Sequence, residues 1–290
     1  MKSIKNRLYK TCIAKGVTES DASTFSNYVD ALYHEYADKL DTKFPKEFDT
    51  DNMDKQFDLL TELAYTKVLS SANLNLIHKG DNGLDVWIDD WNAWGEYKNI
   101  RKGECMPSDK SGFLSRLTNA IGAKILKVNH DLHNPNSRVN KAQPVILFFN
   151  YSSLTATIAN VLYQNRIANE PPIELEALCG KPIIMSKQNR DITIEPRYFL
   201  DKAMDIWDKD LHQNVHCDTT YISAAVFSET ITNAVFDPNW SNDLIVIHNP
   251  NARNPIKKNL IPSWFEYKLG KSRIQNGHYI KCKETHDPVA

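Results

Sequence analysis

The sequence predicts an α/β core, and three observations predict it. In the middle of the chain, segments with apolar residues at three- and four-residue spacing alternate with apolar runs too short for helices. One of those runs, Val145 to Phe149, is continuously apolar, as expected of a central strand buried on both faces. The composition, 41% hydrophobic and 24% charged, is that of a globular protein able to bury a core.

Taken in order, residues 1–45 read as helical. Thr18, Ser20 and Asp21 offer N-caps, Phe25, Val29, Leu32 and Tyr33 recur at helical spacing, and Phe44-Pro45 is expected to end the stretch. Residues 46–54 read as a loop. A second helix is expected from Met53 to Ser70, with Phe57, Leu60, Leu63, Ala64 and Val68 as its buried stripe and Glu62 beside it. Three strands follow, at Leu74–His78, Leu84–Ile88 and Ala93–Ile100. Asp89-Asp90-Trp91-Asn92 forms a hairpin connection between the last two. Gly112 to Val128 reads as a helix with Arg116 and Lys124 among its polar positions, and residues 153–165 as another. Tyr221–Phe227 and Leu244–His248 are further strands. The repeated tetrapeptide His-Asn-Pro-Asn at residues 133–136 and 248–251 reads as two similar turns. Three segments result: an N-terminal helical segment (1–52), a core (53–165) and an α/β extension (166–290).

Composition narrows the function classes. No apolar run reaches 18 residues, so no membrane span is expected, and the basic N-terminus lacks the apolar stretch of a secretory signal. Cys12, Cys105, Cys179, Cys217 and Cys282 are five, widely spaced and without a CxxC, which fits a reducing cytoplasm better than a disulfide framework. Net charge is −1 but unevenly spread: residues 30–62 hold ten acids and four bases, residues 253–283 eight bases and one acid. Lys257, Lys258, Lys268, Lys271 and Arg273 interleave with Trp264, Phe265 and Tyr267, a composition suited either to nucleic-acid contact or to a packed tail.

The chemistry concentrates in residues 80–104. Alternation on a strand puts Glu96 and Lys98 on one face with Cα atoms roughly 6–7 Å apart, while Tyr97 points the other way. Asp85 can oppose Glu96 across the hairpin within about 5 Å. Two carboxylates that close repel each other unless a cation lies between them or a pKa rises. Mg²⁺ suits them, because it takes hard oxygen ligands and needs only one or two carboxylates. The Tyr97 carbonyl is a further candidate ligand, Lys98 is placed to hold a water or steady a charged phosphate, and Glu62 adds a third acid if its helix packs behind the hairpin.

Glu62 on a helix, Gly83-Leu84-Asp85 opening a strand and Glu96-Tyr97-Lys98 on the next resemble the PD-(D/E)XK nuclease superfamily, the restriction-endonuclease-like fold. The likeness covers roughly residues 53–150, in the order helix, three-strand meander, helix, strand. It implies a mixed sheet flanked by helices, with Asp85 and Glu96 (with Tyr97) as metal ligands, Lys98 as catalytic lysine and Glu62 as the helix acid. Leu84 stands where the family has proline. The function implied is a Mg²⁺-dependent endonuclease, with Mn²⁺ as a substitute and DNA as partner, Arg116 and Lys124 contacting the phosphate backbone. Cutting both strands usually takes two active sites, so a homodimer is compatible, though no zipper pattern marks one. Two alternatives stay open: a non-catalytic nucleic-acid-binding protein with the same fold, and a metal-dependent phosphohydrolase acting on a small substrate.

Overall fold

The computed structural model describes residues 4–80, 82–101, 109–154, 158–160, 162, 172–180, 182–184, 192–194, 198–199, 202–261, 263 and 265–268. Four helices come first: α1 (Ile4–Ala14), α2 (Glu19–Tyr36), α3 (Phe44–Phe48) and α4 (Met53–Ser71). Thr18 caps α2 by accepting from the Asp21 N–H, and Asn52 caps α4 by accepting from the Lys55 N–H. Phe44-Pro45, expected to end a helix, opens the short α3 instead. Proline is tolerated in a first turn because its missing N–H would have had no intrahelical partner.

The strands are β1 (Leu76–Ile77), β2 (Val86–Ile88), β3 (Ala93–Asn99), β4 (Val145–Asn150), β5 (Pro182–Ile184), β6 (Ile192–Ile194), β7 (Ala203–Asp208), β8 (Gln213–Asp218), β9 (Ile222–Ser228), β10 (Ile245–His248) and β11 (Phe265–Lys268). Helix α5 (Lys110–His133) lies between β3 and β4. The first strand is shorter than the expected Leu74–His78 because the chain is still leaving α4. Asn73 is left-handed at φ 61°, the Leu74 N–H returns to Leu69, and the Asn75 N–H goes to the Asp90 carboxylate. The hairpin at residues 89–92 forms as expected, with Asn92 left-handed at φ 49°. Both His-Asn-Pro-Asn turns close alike: the asparagine side chain, Asn134 or Asn249, accepts from the N–H two residues on. Of the helix expected over residues 153–165, residues 152–154 form a 3₁₀ turn and residues 158–160 are helical. The remainder lies mostly outside the described residues, as do Trp264, Lys271 and Arg273.

Seven strands make one mixed sheet in the order β1-β2-β3-β4-β9-β10-β11. The meander β1-β2-β3 is antiparallel, whereas β3-β4 and β4-β9 run parallel. The chain after residue 165 thus supplies three strands to the sheet that the earlier segment begins. Alternate side chains of β4 divide the core. Val145, Leu147 and Phe149 pack on the α5 face; Ile146 and Phe148 pack on the face covered by α4 and the N-terminal helices. Among the described residues, no helix is long and apolar enough to cross a membrane.

Candidate active site

The site forms where β2 and β3 part. Their antiparallel ladder ends at Val86 opposite Gly95, and one more step would pair Asp85 with Glu96. That pair never forms a ladder. Asp85 sits just ahead of β2, and its Oδ2 accepts the Tyr97 N–H at 2.6 Å, in place of a backbone carbonyl. Sequence reading put Asp85 inside the strand; the side chain takes the hydrogen bond that would have extended it. Gly95 permits the close approach beside it, since a Cβ there would meet Val86 Cγ1 at 2.6 Å and Phe148 Cε2 at 2.9 Å.

Backbone parity aims a carbonyl into the same gap. The N–H groups of Trp94 and Ile100 donate to Pro144 and Asn150, on the β4 side. Tyr97 is three residues from each, so its N–H and C=O both leave on the opposite side, toward Asp85. The Tyr97 ring goes to the α4 face, stacked on Tyr65 at 5.4 Å between centroids.

Glu96 turns to the α5 face and is fully buried. Its Oε1 accepts from two ammonium groups of that helix, Lys124 and Lys127, the latter at 2.5 Å. Lys127 also lies 4.0 Å from Asp85 Oδ1. Those two legs from one nitrogen, 2.5 Å and 4.0 Å, hold Asp85 Oδ1 and Glu96 Oε1 to at most 6.5 Å apart. A cavity of 210 Å³ opens over this set, and Glu62, Lys98, Asn99 and Asp58 complete its wall.

The electrostatics follow from that crowding. Burial and the neighbouring Glu96 charge push the Asp85 carboxyl up to about 7, against the pull of Lys124, Lys127 and the Tyr97 N–H. Burial opposes ionisation of Glu96 too, but the two lysines outweigh it and hold its pKa below the usual carboxylate range. Glu62, reaching in from α4, is pushed well upward by burial first and then by Asp85. Lys98 is shifted down by burial and by the Lys124 charge.

The donor set fits a hard divalent cation. Glu96 Oε2 is buried with no hydrogen-bond partner. With an Asp85 oxygen and the Tyr97 carbonyl it offers oxygen ligands of the kind Mg²⁺ takes, leaving positions for water and phosphate. Among the described residues, no three His, Cys, Asp or Glu side chains form a cation-binding group. The fit therefore rests on two carboxylates and a carbonyl.

Asp85, Glu96, Tyr97, Lys98 and Glu62 thus share one cavity, and Lys124 joins them as a partner of Glu96. Arg116 stands apart, two turns up α5, in a neighbouring cavity. Lys127 escaped sequence reading. Its only signal is its position three residues after Lys124 on one helix face, and nothing local marks the acid it meets 31 residues upstream. Asn150 was also missed. From β4 its amide donates to Thr61 at 2.8 Å and Asn99 at 3.3 Å, tying α4 and β3 together behind the cavity.

Comparison of the chain with models of known protein families, with characterised proteins and with solved structures finds no match.

Proposed function

We propose that the chain is a Mg²⁺-dependent nuclease that hydrolyses phosphodiester bonds, with DNA as its substrate. The observation that carries this reading is the gap between β2 and β3. There Asp85, the unpartnered Oε2 of Glu96 and the Tyr97 carbonyl side share one small cavity with Lys98. Asp85, Glu96 and the Tyr97 carbonyl would hold the cation. Once bound, it supplies positive charge to the phosphate oxygens and lowers the pKa of a water.

The chain's own groups do the remaining work. Lys98 steadies the attacking oxygen and the charge that builds on phosphorus. Hydrolysis forms one bond from water oxygen to phosphorus and breaks one from phosphorus to a sugar oxygen. The attacking water gives up a proton and the leaving oxygen takes one. Glu62, whose surroundings favour its protonated form and which lines the same cavity, is placed to donate the latter and regain the former. Lys124 and Lys127 hold Glu96 ionised through its Oε1, leaving Oε2 for the cation, and bring two ammonium groups to the cavity where phosphate oxygens would lie.

The test is a plasmid assay with Mg²⁺ or Mn²⁺, run on wild type beside Asp85→Ala and Lys98→Ala. Nicking by wild type and loss in both variants is the expected result. Equal cleavage by all three, or none on any DNA or RNA tried, overturns the assignment. One observation favours a second reading. Lysines already seated on Glu96 suit a site that binds nucleic acid without cutting it. Such a protein would bind oligonucleotide in EDTA and show no Mg²⁺-dependent stabilisation.

A further inference from the structure

A second cavity, of 580 Å³, lies between the end of β3 and the first half of α5 and shares Lys98 and Asn99 with the first. Lys98, Arg101 and Arg116 line it, with Ser115 and Asn119 as neutral donors. None of the described residues in its wall is acidic. The contrast with its neighbour is sharp, since that wall carries Asp58, Glu62, Asp85 and Glu96. The Lys98 ammonium and the two guanidinium groups line one concave surface, where their N–H donors can converge on an anion. Arg101 is ion-paired with Asp58 and, at 3.8 Å, with Asp54, while its Nε is buried without a hydrogen-bond partner.

We propose that this cavity is a phosphate subsite, which seats the nucleotide next to the phosphodiester being cut. The assignment rests on the nuclease reading above. Planar guanidinium forks suit phosphate oxygens, and the volume lies within the range of small-ligand pockets, so it can admit a sugar and base as well as the phosphate. Helix α5 sets the path of the strand. Ser115, Arg116 and Asn119 face the second cavity, and Lys124 and Lys127 face the first, so donors line one helix from the flanking phosphate to the scissile one. Lys98 forms the shared wall, which places the two phosphates on either side of one lysine.

The test measures binding separately from cleavage. In EDTA, fluorescein-labelled 12-nucleotide single strands and the matching duplex are titrated with wild type, Arg116→Gln and Ser115→Glu, followed by anisotropy at several salt concentrations. Ser115 is exposed, so an acid there enters the cavity wall without disturbing the core, and thermal melting of both variants checks the fold. Each variant should weaken binding by about tenfold and reduce the salt slope by about 1, with Arg116→Lys partly restoring affinity. Affinities and slopes within twofold of wild type overturn the subsite, as does failure of wild type to bind either oligonucleotide. In a second arm, orthophosphate alone is followed by tryptophan fluorescence. Orthophosphate binding lost in Ser115→Glu with oligonucleotide binding unchanged also overturns the nucleotide assignment. The outcomes separate from those of the plasmid assay. Variant losses in a protein that never cuts support the subsite and sink the nuclease, while unchanged variants in a protein that cuts do the reverse.

Discussion

Replacing Asp85 by asparagine keeps an acceptor for the Tyr97 N–H and removes the charge that burial and Glu96 disfavour. In the wild type the folded state holds the Asp85 proton up to about pH 7, whereas the unfolded chain releases it near 3.8. The stabilisation from that proton is therefore complete below pH 3.8 and is lost as pH rises through about 7. A shift of about three units, at 1.36 kcal/mol each, sets a ceiling of about 4 kcal/mol. The side chain is 33% exposed, so solvent screening brings the expectation down to about 1–2 kcal/mol. Urea unfolding in EDTA at about pH 4.5 and pH 8 measures it. Wild type should lose that much more stability across the interval than Asp85→Asn, whose side chain does not titrate. At pH 8, ~10 mM Mg²⁺ acting on a site with a Kd on the order of 1 mM should return about 1.4 kcal/mol to wild type and nothing to the variant. Parallel stability curves for the two proteins, with or without Mg²⁺, would refute both the crowding of the carboxylates and the cation site built on it.

Three further perturbations probe the scaffold. Gly95→Ala puts a methyl against Val86 and Phe148 and should cost about 1–3 kcal/mol in urea unfolding; a neutral result would mean that β2 and β3 approach less closely than described. Lys124→Met with Lys127→Met leaves a fully buried Glu96 carboxylate with neither of its partners, at a cost of about 3 kcal/mol near neutral pH. The Glu96 pKa is held down by those lysines, so their contribution is present above the unfolded glutamate pKa and lost as pH falls through the lower folded value. The penalty should accordingly shrink in acid, and Mg²⁺ should recover part of it in thermal melts at pH 8. Asn150→Ala strands the Ser152 N–H and breaks the links to Thr61 and Asn99, for an expected loss of about 2–3 kcal/mol by the same measurement; a loss under about 0.5 kcal/mol would remove it as the tie between α4 and β3.

What was legible in the chain was local. The Met53–Ser71 helix, the turn at residues 89–92 and the β4 run announce themselves through periodicity, turn residues and an unbroken apolar stretch. Strands β9 and β10 were visible for the same reason. Their place was not, because apolar alternation says that a strand is half-buried and names no partner. Only the fold sets Ile222–Ser228 in parallel beside Val145–Asn150. The same limit governed the site. Asp85, Glu96 and Lys98 were found from spacing along a hairpin. Lys127 needed a contact across 31 residues, and Arg101 needed a cavity whose other wall begins at Gly112.

The two acids of the proposed cation site are not equivalent. Lys124 and Lys127 of α5 both serve Glu96, whose pKa they hold below the usual carboxylate range. Asp85 has the Tyr97 N–H and, at 4.0 Å, a Lys127 already engaged elsewhere. Glu62 adds a third carboxyl whose ionisation that same pair opposes. Burial and mutual repulsion therefore favour the protonated forms of Asp85 and Glu62 beside an ionised Glu96. A divalent ion held by Asp85 and the Glu96 Oε2 would favour the ionised form of Asp85. Binding should then release protons, about three-quarters of one per Asp85 at pH 6.5 for a carboxyl pushed up to about 7. Titrating the protein with Mg²⁺ in weakly buffered indicator at pH 6.5 measures that release directly. Mg²⁺ binding with no proton release would show that Asp85 is already ionised, and would remove the electrostatic argument for the site even if the metal binds.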